Sequence, residues 1–118
     1  MSMKLTRLFT GTDGESHFED LDIPLKNAGD IGALSERVKA TGVIFRETSG
    51  DYDYDFHNAP QRQYVVMLDG EVDIEVGDGT IRRFTAGDIL LAEDTTGRGH
   101  ISRAVDGQAR KSLFITLD

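Results

Sequence analysis

A chain of 118 residues, 38% of them hydrophobic and 29% charged, has the size and composition of one soluble globular domain, which excludes a mostly disordered protein. The absence of cysteine excludes disulfides, thiolate metal sites and cysteine nucleophiles. The formal net charge of −8 argues against charge-driven binding to nucleic acid or to an anionic membrane. No apolar run approaches the roughly 20 residues that span a bilayer, and residues 1–9 do not resemble a secretory signal. We therefore expect one cytoplasmic domain over residues 1–118.

Strand patterns dominate the first half of the chain. Residues 3–10 and 16–25 are predicted strands, separated by turn residues at 11–14. Residues 26–32 are predicted to form a loop, and residues 34–39 one helical turn. A β-branched alternating segment at 43–48 predicts a third strand. In residues 52–56 aromatic and acidic side chains alternate, which predicts a strand with one aromatic face and one acidic face.

The second half of the chain also has the pattern of short strands. Residues 63–68 are a predicted strand, followed by Asp69-Gly70, a pair typical of a two-residue hairpin because both residues tolerate positive φ. Residues 71–76 alternate strictly, with three apolar side chains on one face and three acidic ones on the other. Further strands are predicted at 81–84, 89–92, 100–105 and 110–117, with a polar loop at 93–99. Many short strands joined by glycine turns predict an all-β sandwich or barrel.

The spacing of glycine and histidine after residue 50 resembles the first motif of the cupin superfamily, the small jelly-roll barrels. Gly50, His57 and Gly70 stand at the positions of the opening glycine, the first histidine and the closing glycine. Ala59 stands where the family has its second histidine, and Gln63 stands where it has a glutamate. The glycine framework therefore matches the family, whereas the metal-ligand set is incomplete.

The second cupin motif has its counterpart between residues 87 and 104. Gly87 opens it, and His100 follows a Gly-Arg-Gly sequence after a loop about two residues longer than the usual pattern. Thr95 replaces the expected proline and Ala104 the expected asparagine. The resemblance, closest to small single-domain bacterial members, implies an all-β double-stranded β-helix, the jelly-roll or cupin barrel.

The resemblance implies a divalent-metal site inside the barrel, made of the two motif histidines and the motif glutamate. His57, Gln63 and His100 occupy these positions, and Gln63 brings no charge to offset a cation. We therefore expect a weakly bound divalent metal at most, unless a further ligand joins: His17, Glu93 or Asp94. The alternatives are a relic histidine pair that only hydrogen-bonds inside the barrel, and an imidazole pair that transfers protons without a metal.

Charged residues near the two motifs supply further candidates. Glu93 and Asp94 precede His100, and each is either part of a solvated acidic turn or a catalytic carboxylate that pairs with an imidazole. Arg46 and Arg62 flank the first motif and are candidates to clamp a substrate carboxylate, or else to form surface ion pairs.

Tyr64 and Met67 are candidates for ligand contact, although such residues more often pack the barrel. Together these observations favour a cupin that binds a small organic molecule, with proton-transfer chemistry of the isomerase or lyase type at His57 and His100. Two alternatives stay open: a non-enzymatic ligand-binding or interaction cupin, and a metal-dependent dioxygenase. We also expect a homodimer, because the predicted strands at 3–10 and 16–25 carry apolar residues that could pair with a second copy.

Overall fold

The computed structural model, which describes residues 1–118, is built almost entirely from β-strands. Strands hold 55% of the residues, and there is no α-helix. The strands are β1 (Ser2–Thr10), β2 (Ser16–Pro24), β3 (Lys26–Asn27), β4 (Ala33–Leu34), β5 (Gly42–Thr48), β6 (Asp53–His57), β7 (Gln63–Asp69), β8 (Val72–Glu75), β9 (Ile81–Phe84), β10 (Ile89–Ala92), β11 (His100–Ala104) and β12 (Arg110–Thr116), with one 3-10 turn at Gly29–Ile31. The predicted all-β fold class is confirmed. No helix is long and apolar enough to cross a membrane.

Two sheets enclose the core. The larger sheet has the strand order β2-β1-β10-β7-β12-β5 and the smaller one the order β6-β11-β8-β9. Within them only β1 and β10 pair in parallel, and all other neighbours are antiparallel. Strands that are distant in sequence thus lie side by side, and both sheets turn apolar faces toward a shared interior.

The main hydrophobic cluster lies between these sheets. Val72 and Ile74 of β8 are buried with Val76, as the strict alternation of this segment predicts. The acidic residues between them face outward, where Asp73 accepts a hydrogen bond from Arg83 at 2.8 Å. Each fully buried aliphatic side chain of this kind contributes about 1.5–3 kcal/mol to stability. A second, smaller cluster of Leu5, Leu91 and Leu117 packs with Tyr64 and does not belong to the main one.

Two predictions of local structure were wrong, and in both cases the tertiary structure overrides the local sequence pattern. Residues 34–39 form no helical turn, because this segment is exposed and offers no buried face that would stabilise a single turn. Asp69-Gly70 does not close a hairpin, because β7 and β8 belong to different sheets. Only Gly70 has positive φ there, at 78°, and a Cβ on it would come within 2.5 Å of the Ala109 carbonyl oxygen.

Candidate functional site

A cavity of about 440 Å³ opens between the two sheets. Twelve of its 21 lining residues are hydrophobic, and the inward faces of β7, β8, β9 and β10 supply most of this apolar wall. The volume and the largely apolar lining fall within the range typical of small-molecule sites in proteins. The histidine and arginine side chains of the lining lie in two places, the two motif histidines and a pair of arginines.

A β-bulge in β6 brings His57 into the cavity. Ser102 of β11 pairs with Tyr54, and His100 pairs with His57, so that β6 has one extra residue between the two pairings. The bulge changes which face the following residue occupies. His57 therefore lines the cavity on the same side as Tyr54, whereas Phe56 lies outside it under the guanidinium of Arg98, at 3.9 Å.

The two histidines are in direct contact. Their ring centroids are 4.5 Å apart, and the centroid of the Tyr54 ring lies 4.1 Å from that of the His57 ring. The Nδ1 atom of His57 is 2.8 Å from the backbone oxygen of Asp55. Because a carbonyl oxygen only accepts, Nδ1 of His57 donates this bond, and Nε2 is the nitrogen left without a protein partner.

Asp94 holds the second histidine. This side chain is fully buried, and its Oδ2 atom lies 2.5 Å from Nδ1 of His100 and accepts a 2.7 Å bond from the Ser16 hydroxyl. Asn58 stabilises the loop that carries Asp94, because its side-chain amide donates hydrogen bonds to backbone oxygens of that loop. A carboxylate behind Nδ1 fixes the ring and leaves Nε2 of His100 as the nitrogen without a protein partner.

Burial is the main cause of a lowered pKa at His57. The nearby charges of His100 and Arg46 lower this pKa further, while the bond to the Asp55 carbonyl and the charge of Asp94 raise it. The net shift is downward from the ordinary value of 6.5. His57 is therefore a neutral imidazole at neutral pH, in the form that accepts a proton.

A pair of arginines supplies the guanidinium groups of the cavity. Arg46 of β5 and Arg110 of β12 both lie over the Tyr52 ring, with the guanidinium carbons 5.4 and 4.9 Å from its centroid. Arg46 also lies 5.2 Å from the Phe114 ring. Neither arginine forms an ion pair or a hydrogen bond with a protein group, although Arg110 is only 7% exposed and its Nη1 atom is buried. Burial, and then the charge of Arg46, lower the pKa of Arg110.

The sequence hypotheses included Arg46 but missed Arg110. Arg110, Ser112 and Phe114 of β12 all line the cavity, and the residues between them do not. Met67 and Gln63 also line the cavity, on one face of β7 with Val65 between them. Tyr64 lies between them in sequence, so it faces the opposite side and packs with the smaller apolar cluster.

The structure does not bring Glu93, Arg62 or His17 to the cavity. Glu93 accepts hydrogen bonds from Nε of Arg7 and from Nε of Arg62, both at 2.6 Å. Burial raises the pKa of Glu93, but these two bonds outweigh it and the net shift is downward. His17 lies 2.9 Å from an Asp13 carboxylate oxygen outside the cavity. Of the two adjacent carboxylates, only Asp94 thus contacts a cavity histidine.

The donor set does not fit the metal centre that the resemblance implies. Gln63 is buried at the cavity and makes no side-chain hydrogen bond, but its amide brings no charge. Asp94, the carboxylate nearest to the histidines, is bound to Nδ1 of His100. No three His, Cys, Asp or Glu residues are grouped so that they could hold a metal ion. Two imidazoles and a neutral amide fall short of three ligands that include a carboxylate.

Comparison with known proteins bears on the fold alone. The sequence matches no protein-family model, and no curated protein matches it. Among solved structures, protein NMB1881 from Neisseria meningitidis is similar over 69% of this chain and 79% of its own, with 16% identity and a TM-score of 0.51. A candidate ethanolamine utilization protein Q from Salmonella typhimurium is similar over 98% of this chain and 96% of its own, with 12% identity and a TM-score of 0.50.

The Salmonella protein has a cupin fold. The similarity covers nearly the whole of both chains, and the two facing sheets agree with it. The chain described here is therefore a small protein with a cupin-like β-sandwich fold. Since one fold hosts many unrelated activities, its function has to be argued from the cavity.

Proposed function

We propose that this protein binds a small organic molecule in the cavity between its sheets and catalyses a proton transfer on it. The observation that carries this proposal is the contact of His57 with His100, with the buried carboxylate of Asp94 behind the second ring. Two imidazoles in contact, each with Nδ1 engaged and Nε2 free, are equipped to remove a proton from one atom and to deliver one to another.

The two histidines have different roles in this proposal. His57 is the base, because its lowered pKa keeps it neutral and its Nε2 atom has no protein partner. His100 is its acid partner, because the Asp94 carboxylate engages Nδ1 and fixes the orientation of the ring, which leaves Nε2 for proton transfer. Removal of a proton by one ring and return of a proton by the other gives an isomerisation. If the second proton goes to a leaving group, the same pair gives an elimination.

Deuterium exchange on a panel of candidate substrates tests this proposal. The protein is incubated in D₂O with small keto acids, hydroxy ketones and hydroxy acids, and proton NMR follows each C–H signal. We expect a protein-dependent loss of signal at carbon atoms that the pair deprotonates. His57→Asn and His100→Asn should slow this exchange by about 10²–10⁴-fold, the usual contribution of a general acid or base.

His17→Asn is the matched control, because this histidine lies outside the cavity and pairs with Asp13. This variant should catalyse deuterium exchange on the substrates at the same rate as the unmodified protein. Panel members that bind in the cavity but do not exchange would instead support a non-enzymatic binding protein. The dioxygenase alternative is less favoured, because Gln63 stands where that chemistry needs an anionic ligand.

A further inference from the structure

The arginines of this chain are paired with carboxylates almost everywhere except at the cavity. Six of the nine arginines form ion pairs. The three without one are Arg37, which is exposed, and the two cavity arginines, Arg46 and Arg110. The chain has 21 acidic residues against 13 basic ones, so acidic side chains are not scarce. A pair of arginines without an acidic partner is thus a specific property of the cavity.

This arrangement is unfavourable while the cavity holds no anion. The two guanidinium groups repel each other, and burial removes from Arg110 much of the water that would stabilise its charge. The faces of Tyr52 and Phe114 attract the two cations. The N–H groups, however, lie in the plane of the guanidinium, and the ring faces do not supply the oxygen acceptors that these groups need. The protein therefore provides no hydrogen-bond acceptor for the buried Nη1 atom of Arg110.

We infer that Arg46 and Arg110 bind an oxyanion group, a carboxylate or a phosphate ester, on the molecule that occupies the cavity. The inference rests on the proposed function in so far as it takes this cavity as the ligand site. An oxyanion supplies the missing negative charge, and its oxygens match the fork geometry of guanidinium groups. Ser112 adds a hydroxyl beside this pair, since it is buried, lines the cavity and is the strand partner of Arg46.

The position of the arginine pair also indicates how the ligand lies. The Tyr52 ring, which both arginines contact, is 6.0 Å from the Tyr54 ring, and Tyr54 in turn contacts His57. A continuous row of rings thus joins the anion-binding end of the cavity to the histidine pair. The rest of the wall is mostly apolar, and its polar side chains are Asn58, Gln63 and Ser102. The ligand class is therefore a small organic acid or phosphate ester with an apolar body, held by its anionic end while the histidines face another part of it.

Calorimetric titration with three related probes tests this inference. Phenylacetate and phenyl phosphate carry the two kinds of oxyanion, and phenylacetamide is the neutral analogue. We expect at least one anion to bind, and phenylacetamide to bind at least about tenfold more weakly, since a hydrogen bond to a charged group accounts for about that ratio. The tighter of the two anions distinguishes a carboxylate site from a phosphate site.

Two variants locate the binding, and a third controls for net charge. Arg46→Met and Arg110→Met should each weaken anion binding by about tenfold or more. Arg37→Met removes the same charge from an exposed position outside the cavity and should bind like the unmodified protein. Equal binding of phenylacetamide and the anions, no anion binding at millimolar concentration, or undiminished binding by both cavity variants would overturn the inference.

The outcomes separate this inference from the proposed function. Binding of a probe needs no turnover, so His57→Asn should still bind the anion. Anion binding that depends on Arg110, without deuterium exchange on any compound, would overturn proton transfer and leave the anion site in place. Exchange on compounds whose binding neither Arg46→Met nor Arg110→Met weakens would overturn the anion site alone.

Discussion

Replacement of Arg110 by methionine should stabilise the ligand-free protein, although it shortens a buried side chain. A buried donor without an acceptor costs about 1–3 kcal/mol, and Nη1 of Arg110 is such a donor. The substitution also removes the repulsion from Arg46 and places an apolar side chain in a cavity whose lining is mostly hydrophobic. It loses the contact with the Tyr52 ring, which is worth about 0.5–2 kcal/mol. The expected net gain in the free energy of unfolding is about 1 kcal/mol, or roughly 4 °C in Tm.

Urea and thermal unfolding, followed by circular dichroism, measure this difference. The buffer should contain no phosphate or carboxylate, because an oxyanion in the site would stabilise the unmodified protein and hide the effect. Arg37→Met is the matched control and should stay within about 0.5 kcal/mol of the unmodified protein, as exposed substitutions usually do. A loss of more than about 1 kcal/mol in Arg110→Met, with no change in Arg37→Met, would refute the reasoning. Arg110 would then support the fold in the absence of a ligand.

Four further predictions concern the histidines, the metal and the assembly. Asp94→Asn should lower the free energy of unfolding by about 1–3 kcal/mol and slow deuterium exchange, because it weakens a buried bond to His100; unfolding curves and NMR measure the two effects. The pKa of His57 is lower in the folded protein than in the unfolded chain, so the unfolded chain binds more protons as the pH falls through the ordinary value of 6.5. The free energy of unfolding should therefore decline as the pH falls there. Urea titrations at pH 7.5 and 5.5 measure this decline, and His57→Asn should make it shallower. Calorimetry should find weak Zn²⁺ binding that Gln63→Glu strengthens, since the glutamate supplies the missing charge; unchanged binding would mean that Gln63 does not face the metal position. Light scattering at micromolar concentration should give the mass of a dimer, and a monomer mass would contradict the expected pairing through β1 and β2.

The sequence predicted strands well where burial and local pattern agree. Residues 72–76 alternate because one face of β8 is buried between the sheets, so a period of two in the sequence was sufficient. Asp69-Gly70 has the local character of a hairpin turn, but the apolar face of β8 belongs to the smaller sheet, and turn propensity cannot show which sheet a strand joins. The helical turn at 34–39 failed because the sequence does not reveal that this segment packs against nothing.

For the site, the spacing of the motifs predicted which residues matter, but the sequence did not predict which way their side chains point. The glycine and histidine spacing singled out His57 and His100, which the fold brings into contact. Simple alternation from Tyr52 and Tyr54, however, puts Phe56 on the inner face, and only the bulge in β6 turns His57 inward instead. Arg110 was missed because its place at the cavity depends on the pairing of β12 with β5, a contact between residues about 60 positions apart.

The contrast between the two ends of the cavity bears on what the ligand must supply. At the histidine end the protein provides partners for the two rings: Asp94 and the Asp55 carbonyl engage the Nδ1 atoms, and the rings are held without a ligand. At the arginine end it provides aromatic faces but no acceptor, although carboxylates pair with six other arginines of the same chain. A cavity that served only to stabilise the fold would gain from apolar residues at these two positions. An arginine pair held in place without an anion is instead arranged for a negative charge that arrives with the ligand, and ligand binding should therefore stabilise the unmodified protein more than it stabilises Arg110→Met.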